Sequence, residues 1–218
     1  LEPAAANVLS QAGGRGQYMP PAVADNDPME PEPKALADIL LALENASRAT
    51  ARPAMARLLA VSKTRSPTEI AALAASGQCA FGENYVQEAL PKIDALRSLG
   101  LEWHLIGHLQ SNKADVAARA FDWVQSVDRP KLVSALARHR PAELPPLDVL
   151  LQVNVDDETS KHGCHPQDID ALADAVAAEP RLRLRGLMAI PAPFEDITRR
   201  RDAFRAMRGL FEALQSRH

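Results

Sequence analysis

The chain has 218 residues, enough for one large domain or two small ones, and its 46 % hydrophobic and 24 % charged residues are those of an ordinary globular protein. A net charge of -3 gives no general electrostatic case for binding nucleic acid or an anionic membrane. No apolar run reaches the roughly 18 residues of a membrane span, and the N-terminus lacks the basic segment and apolar core of a secretory signal.

Residues 1–33 hold six of the 17 prolines together with Gly13, Gly14 and Gly16, and show no sustained apolar period. They read as a flexible tail that builds no core. The folded domain is expected over 34–218. It opens with an amphipathic helix on Leu36, Ile39, Leu40 and Leu43 that runs to about Thr50. Strand and helix then alternate. The first strand is Leu58–Lys63. Ser66, Pro67 and Glu69 supply a cap, a first-turn proline and a capping box for the next helix, which Gly77 stops. A strand at Gln78–Gly82 precedes a helix from about Asn84 to Leu99, in which Pro91 predicts a kink or a late start. The third strand is Leu101–Gly107, with Ser111 as cap of the helix behind it. The fourth is Phe121–Val127, with Asp128 as cap. The fifth is Leu147–Val155, followed by a helix from Pro166. The sixth is Leu182–Ile190, followed by a helix carrying Ile197, Phe204, Met207, Phe211 and Leu214.

Six βα units predict a parallel sheet, either doubly wound and open or wound as a (β/α) barrel. The first βα turn lacks G-x-G-x-x-G and no P-loop occurs, which disfavours the common nucleotide-binding sheets. Cys79 and Cys164 are far apart and imply no disulfide framework, which fits a reducing, cytoplasmic setting. The segment His162-Gly163-Cys164-His165 has no second ligand pair at structural-zinc spacing, so no metal is expected. Arg199-Arg200-Arg201 reads as a solvated helix face.

Chemistry concentrates at the C-terminal ends of the strands, where α/β folds place their ligands. Lys63 closes the first strand just before a helix starts. A lysine desolvated at such a rim loses charge and becomes a nucleophile toward an aldehyde. Polar and small residues follow at the other strand ends: Phe81-Gly82-Glu83-Asn84-Tyr85, His104 through Lys113, Ser126-Val127-Asp128, Asn154 through Gly163, and Gly186 through Pro191. His104 and His108 fit hydrogen-bonded structural roles better than general-base roles.

The strings AVSKT at 60–64, FGENYVQE at 81–88, WHLIGHLQSNK at 103–113, SVD at 126–128, NVDDETSKHG at 154–163 and RLRGLMAIPAP at 183–193 occur in order. Together they resemble the pyridoxal 5'-phosphate homeostasis protein family, also called the proline-synthase-co-transcribed family, over about 34–218. The resemblance implies a TIM-type (β/α) barrel like the N-terminal domain of alanine racemase. It implies pyridoxal 5'-phosphate (PLP) held as a Schiff base on Lys63, with Asn84 and Met188 close to the cofactor ring. Lys113 and Lys161 fall in recurrent family motifs with less defined roles. The implied function is intracellular PLP homeostasis without robust turnover, with PLP-dependent apo-enzymes as conceivable recipients. The alternatives are a fold-type-III racemase or decarboxylase and a non-binding remnant. The family's Ser-Met-Gly-Met-Ser-like and Arg-Ile-Gly-Thr-like phosphate loops have no match here, so the last two barrel units are expected to be absent. The expected state is a monomer, or a self-associating chain if truncated.

Overall fold

A computed structural model describes residues 7–10, 32–49, 56–156, 162–192 and 195–218. Its elements, in chain order, are β1 (Asn7–Ser10), α1 (Glu32–Ala49), β2 (Ala60–Val61), α2 (Pro67–Ala75), β3 (Ala80–Glu83), α3 (Val86–Ala95), β4 (Glu102–Leu105), α4 (Ala114–Ala120), β5 (Trp123–Val127), α5 (Pro130–His139), β6 (Leu147–Gln152), α6 (Ile169–Ala177), β7 (Leu182–Ala189) and α7 (Ile197–Arg217). Short 3₁₀ turns occupy Arg97–Leu99, Ser111–Lys113 and Pro166–Asp168.

The strands form one sheet in the order β1-β7-β6-β5-β4-β3-β2. Strands β2 to β7 are parallel, and each lies beside its successor in sequence. A doubly wound sheet reverses direction at a switch point, and this one does not. Every right-handed crossover therefore puts its helix on the same face, the winding of a (β/α) barrel. Six βα units are present, and the described strands leave the barrel open between β2 and β1.

Alternation along each strand sends one set of side chains to the helices. Phe81, Trp103, Leu105, Val124, Leu147, Val149, Leu151 and Leu187 pack there against Ile70, Val86, Ala89, Leu132, Leu136, Leu172 and Val176. The opposite set faces the barrel interior. The register runs Val61, Gly82, His104, Trp123, Asp148, Arg183 across the sheet. Trp123, Leu150 and Met188 form a separate apolar cluster on that face.

Several expectations need correction. The tail contains a strand: β1 pairs antiparallel with β7, Val8 opposite Met188. The signal is the short apolar pair Val8-Leu9 in a segment otherwise rich in turn residues, and the rest of 1–31 lies outside the described residues. In α1 only Leu36 of the expected stripe is buried, while Ile39 and Leu40 are exposed. The capping box at Ser66 forms as expected: Ser66 Oγ accepts from the Glu69 N–H and Glu69 accepts from the Ser66 N–H at 2.7 Å. Gly77 ends that region with φ +99°. Ser111 and Asp128 do not cap the helices that follow them. The N-caps of α3, α4 and α5 are Tyr85, Lys113 and Arg129, without side-chain cap bonds. Asp128 is drawn instead to the Arg129 guanidinium. Helix α3 starts late, at Val86, and carries Pro91 inside it.

Candidate functional site

The C-terminal end of β2 is a turn, Ser62-Lys63-Thr64-Arg65, closed by the Arg65 N–H on the Ser62 carbonyl at 3.0 Å. Ser62 is buried against Glu83 and Lys92 on the helix side. Lys63 is exposed. The desolvation expected of a strand-end pocket is not provided by the described residues, because β2 is an edge strand with a neighbour on one side only. Thr64 has φ +64°, left-handed backbone at a β-branched residue. Such a residue costs on the order of 1–3 kcal/mol and persists only where its surroundings enforce it.

The enforcement comes from a buried charge cluster on the helix side. Lys92 of α3 has a side chain only 7 % exposed, and its ammonium donates to the Ser62 carbonyl at 2.9 Å, to Glu83 at 2.9 and 3.0 Å, and to Glu88 at 2.9 Å. Three acceptor groups meet its three protons. Glu83 is fully buried and also accepts from Ser62 Oγ at 2.6 Å. Glu88 also accepts from the Thr64 N–H at 2.6 Å. Burial by itself would lower the Lys92 pKa, but its hydrogen bonds to Glu83 and Glu88 outweigh this and hold it above its ordinary value. The same Lys92 bond, helped by the Thr64 N–H, holds Glu88 below its own. None of these roles was read from the sequence. The available signals were the i,i+4 pair Glu88–Lys92 and an acidic residue inside an apolar strand at Glu83.

Asn84 follows β3. It stands at the C-terminal end of β3, as Lys63 does at that of the neighbouring β2, and is half-buried. Its backbone is held from the next loop. A Cβ at Gly107 would lie 2.0 Å from the Asn84 carbonyl oxygen, so only glycine lets the loop after β4 close on Asn84. Met188, by contrast, is 1 % exposed and packed with Trp123 and Leu150 in the interior. The structure thus brings Lys63 and Asn84 to one rim and sets Met188 within packed side chains on the far side of the sheet order. Lys113 is half-buried at the end of its 3₁₀ turn, and Lys161 lies outside the described residues.

His104 is buried on the interior face, stacked on Trp123 at 5.2 Å and hydrogen-bonded to Glu102 at 2.7 Å and Gln125 at 2.8 Å, a structural arrangement. His108, Asp128 and His162 gather at the strand ends with ligand atoms within 4.8 Å of one another. The two imidazoles stack at 3.7 Å with planes 16° apart, so their lone pairs lie in near-parallel planes rather than converging on one point. Burial and His162 keep the His108 pKa below its ordinary value, against the pull of Asp128. Gly163, with φ +127° and a would-be Cβ 2.6 Å from the Asn154 N, lets this loop fold back onto β6. A cleft of about 250 Å³ between α6, β7 and α7, lined by Leu184, Phe211, Leu214 and His218, opens on the helix side and shares none of these residues.

A singly wound parallel (β/α) sheet defines a protein of the (β/α)-barrel class. The profile of the alanine racemase N-terminal domain family matches residues 42–218. The chain is 49 % identical over 176 residues to the pyridoxal phosphate homeostasis protein of Escherichia coli K12, a match spanning 79 % of this chain and 75 % of the relative. It is likewise 49 % identical to the protein of the same name from Pseudomonas aeruginosa, over 80 % of this chain and 76 % of the relative. PipY of Synechococcus elongatus PCC7942 has the same fold in structures without and with PLP, at TM-scores of 0.76 and 0.72 and 32 % identity, over 86 % of this chain and 83 % of PipY. Alanine racemase of Corynebacterium glutamicum shares the fold at TM-score 0.55 and 18 % identity, over 82 % of this chain and 50 % of the racemase. The chain belongs to the pyridoxal phosphate homeostasis proteins, within the alanine racemase N-terminal domain family.

Proposed function

We propose that this protein binds PLP and serves intracellular PLP homeostasis, with Lys63 as the covalent anchor. The observation that carries the reading is the placement of Lys63: in the turn at the C-terminal end of the first parallel strand, exposed, with the backbone held on both sides of it. The residues fit an aldehyde-bearing ligand. The amine is accessible, and Asn84, at the C-terminal end of the neighbouring strand, carries an amide able to donate or accept. Met188 is packed against Trp123 and Leu150 and does not form part of the rim that carries Lys63 and Asn84. Lys63 would hold the aldehyde end of PLP as an imine, and Asn84 would stand at the same end of the sheet. When bound, PLP supplies an electron sink; the protein's own task here is to hold and release it. Curated relatives are named for homeostasis, and the likeness to racemases is one of fold, which supports handling of the cofactor over turnover.

The test is to mix the protein with PLP, follow the imine absorbance, reduce with borohydride and map the labelled lysine. Lys63 is expected to carry the label, and Lys63→Ala to lose it. Equal labelling of Lys63→Ala would sink the site. Sustained turnover of an amino acid by the loaded protein would sink the non-enzymatic part.

A further inference from the structure

We infer that the Glu83–Lys92–Glu88 cluster positions the anchoring lysine from behind the sheet, with Glu88 as the clamp that fixes the turn after it. The inference rests on the Lys63 reading above and adds residues that never touch the ligand.

Lys63 is flanked by two residues that the cluster grips. On its N-terminal side, the Ser62 carbonyl accepts from Lys92 and the Ser62 hydroxyl donates to Glu83. On its C-terminal side, the Thr64 N–H donates to Glu88, at a residue whose left-handed backbone needs an external hold. All three bonds go to Ser62 and Thr64, and none involves the Lys63 side chain, which is exposed. The cluster can therefore set the direction of Lys63 without competing for its amine. It also separates the two lysines chemically: Lys92 gives all its protons to acceptors at 2.9–3.0 Å, whereas Lys63 projects into the open. The clamp and the buried pair are separable. Glu83 and Lys92 form the sealed core of the cluster, while Glu88 sits at its rim with its side chain 32 % exposed. Removing Glu88 loosens the turn and leaves the buried pair intact.

The test compares full-length wild type, Glu88→Ala and Glu88→Gln by PLP titration, hydroxylamine release, borohydride mapping and the induced circular dichroism of the bound cofactor. Far-UV circular dichroism and a thermal melt establish that each variant is folded. A glutamine oxygen still accepts from Thr64 and Lys92, so Glu88→Gln is expected to stay near wild type. Glu88→Ala is expected to keep Lys63 as the labelled residue, to bind PLP about tenfold more weakly, to release it about tenfold faster and to lose most of the induced signal, because a pre-set orientation is what has been removed. A merely structural role would lower the melting temperature and leave the induced signal and the release rate unchanged. A folded Glu88→Ala protein with wild-type affinity, release and induced signal overturns the positioning role while the Lys63 anchor stands. Label on a lysine other than Lys63 in the wild type overturns both.

Discussion

Replacing Lys92 by methionine isolates the energetics of the buried cluster. Methionine keeps most of the length of the lysine stem and removes the ammonium. Glu83, fully buried, then retains the Ser62 hydroxyl as a donor but loses its counter-charge at 2.9 Å. Breaking a buried pair in this way costs about 3–5 kcal/mol, since one charge is left uncompensated in a low-dielectric site. Against a typical stability of roughly 5–15 kcal/mol that is a large fraction. For a chain of this size it lowers the melting temperature by roughly 6–20 °C. Urea unfolding at neutral pH measures the difference directly. The double variant Glu83→Gln/Lys92→Met removes the stranded charge and is expected to recover more than half of the loss. A cost below about 1 kcal/mol for the single variant, or a double variant no more stable than the single, would refute the argument. The cluster also has a pH signature. The Lys92 pKa is raised, so its contribution is complete below the ordinary lysine value and is lost as pH climbs through the higher folded-state value. The Glu88 pKa is lowered, so its contribution is present above the ordinary carboxylate value and fades as pH falls through the folded-state value. Lys92→Met should flatten the alkaline limb of the stability profile.

Gly107→Ala places a Cβ 2.0 Å from the Asn84 carbonyl and forces the loops after β3 and β4 apart. PLP affinity measured by titration is expected to fall by about tenfold or more, because the rim beside Lys63 is no longer pre-formed; unchanged affinity would contradict the close-approach argument. The two thiols differ in environment. Cys79 is exposed, while burial pushes Cys164 up to about 11, so near neutral pH a disulfide reagent should titrate one thiol in the native protein and two in urea. A second fast thiol in the native state would show that the fold-back at Gly163 is open.

Elements with local signals were legible in the sequence. Ser66-Pro67-x-Glu69 announced a capping box because both partners lie within four residues, and Gly77 announced a stop because its backbone needs a positive φ. The six βα units were visible through periodicity, though the strands shrank: the run expected over Leu58–Lys63 is strand only at Ala60–Val61. The caps expected at Ser111 and Asp128 did not form; the Arg129 guanidinium reaches both, the neighbouring Asp128 carboxylate and the Ser111 hydroxyl. The cluster behind Lys63 was illegible for a different reason. It joins residues 62, 64, 83, 88 and 92, which meet only once the β2–β3 register is fixed and α3 is laid over it. The position of Lys63 at a strand end was readable from its flanking residues, but its exposure was not, since that depends on β2 having one neighbour.

That last feature bears on exchange kinetics. Strand β2 is two residues long and hydrogen-bonded to β3 alone among the described strands, whereas β5 and β6 are bracketed on both sides. In native-state hydrogen exchange the amides around Ser62 should open in a small, local step, and those of β5 and β6 only near global unfolding. On the function proposed above, the anchor would ride on this edge segment, with Lys92 and Glu88 as the latch that sets how often it opens.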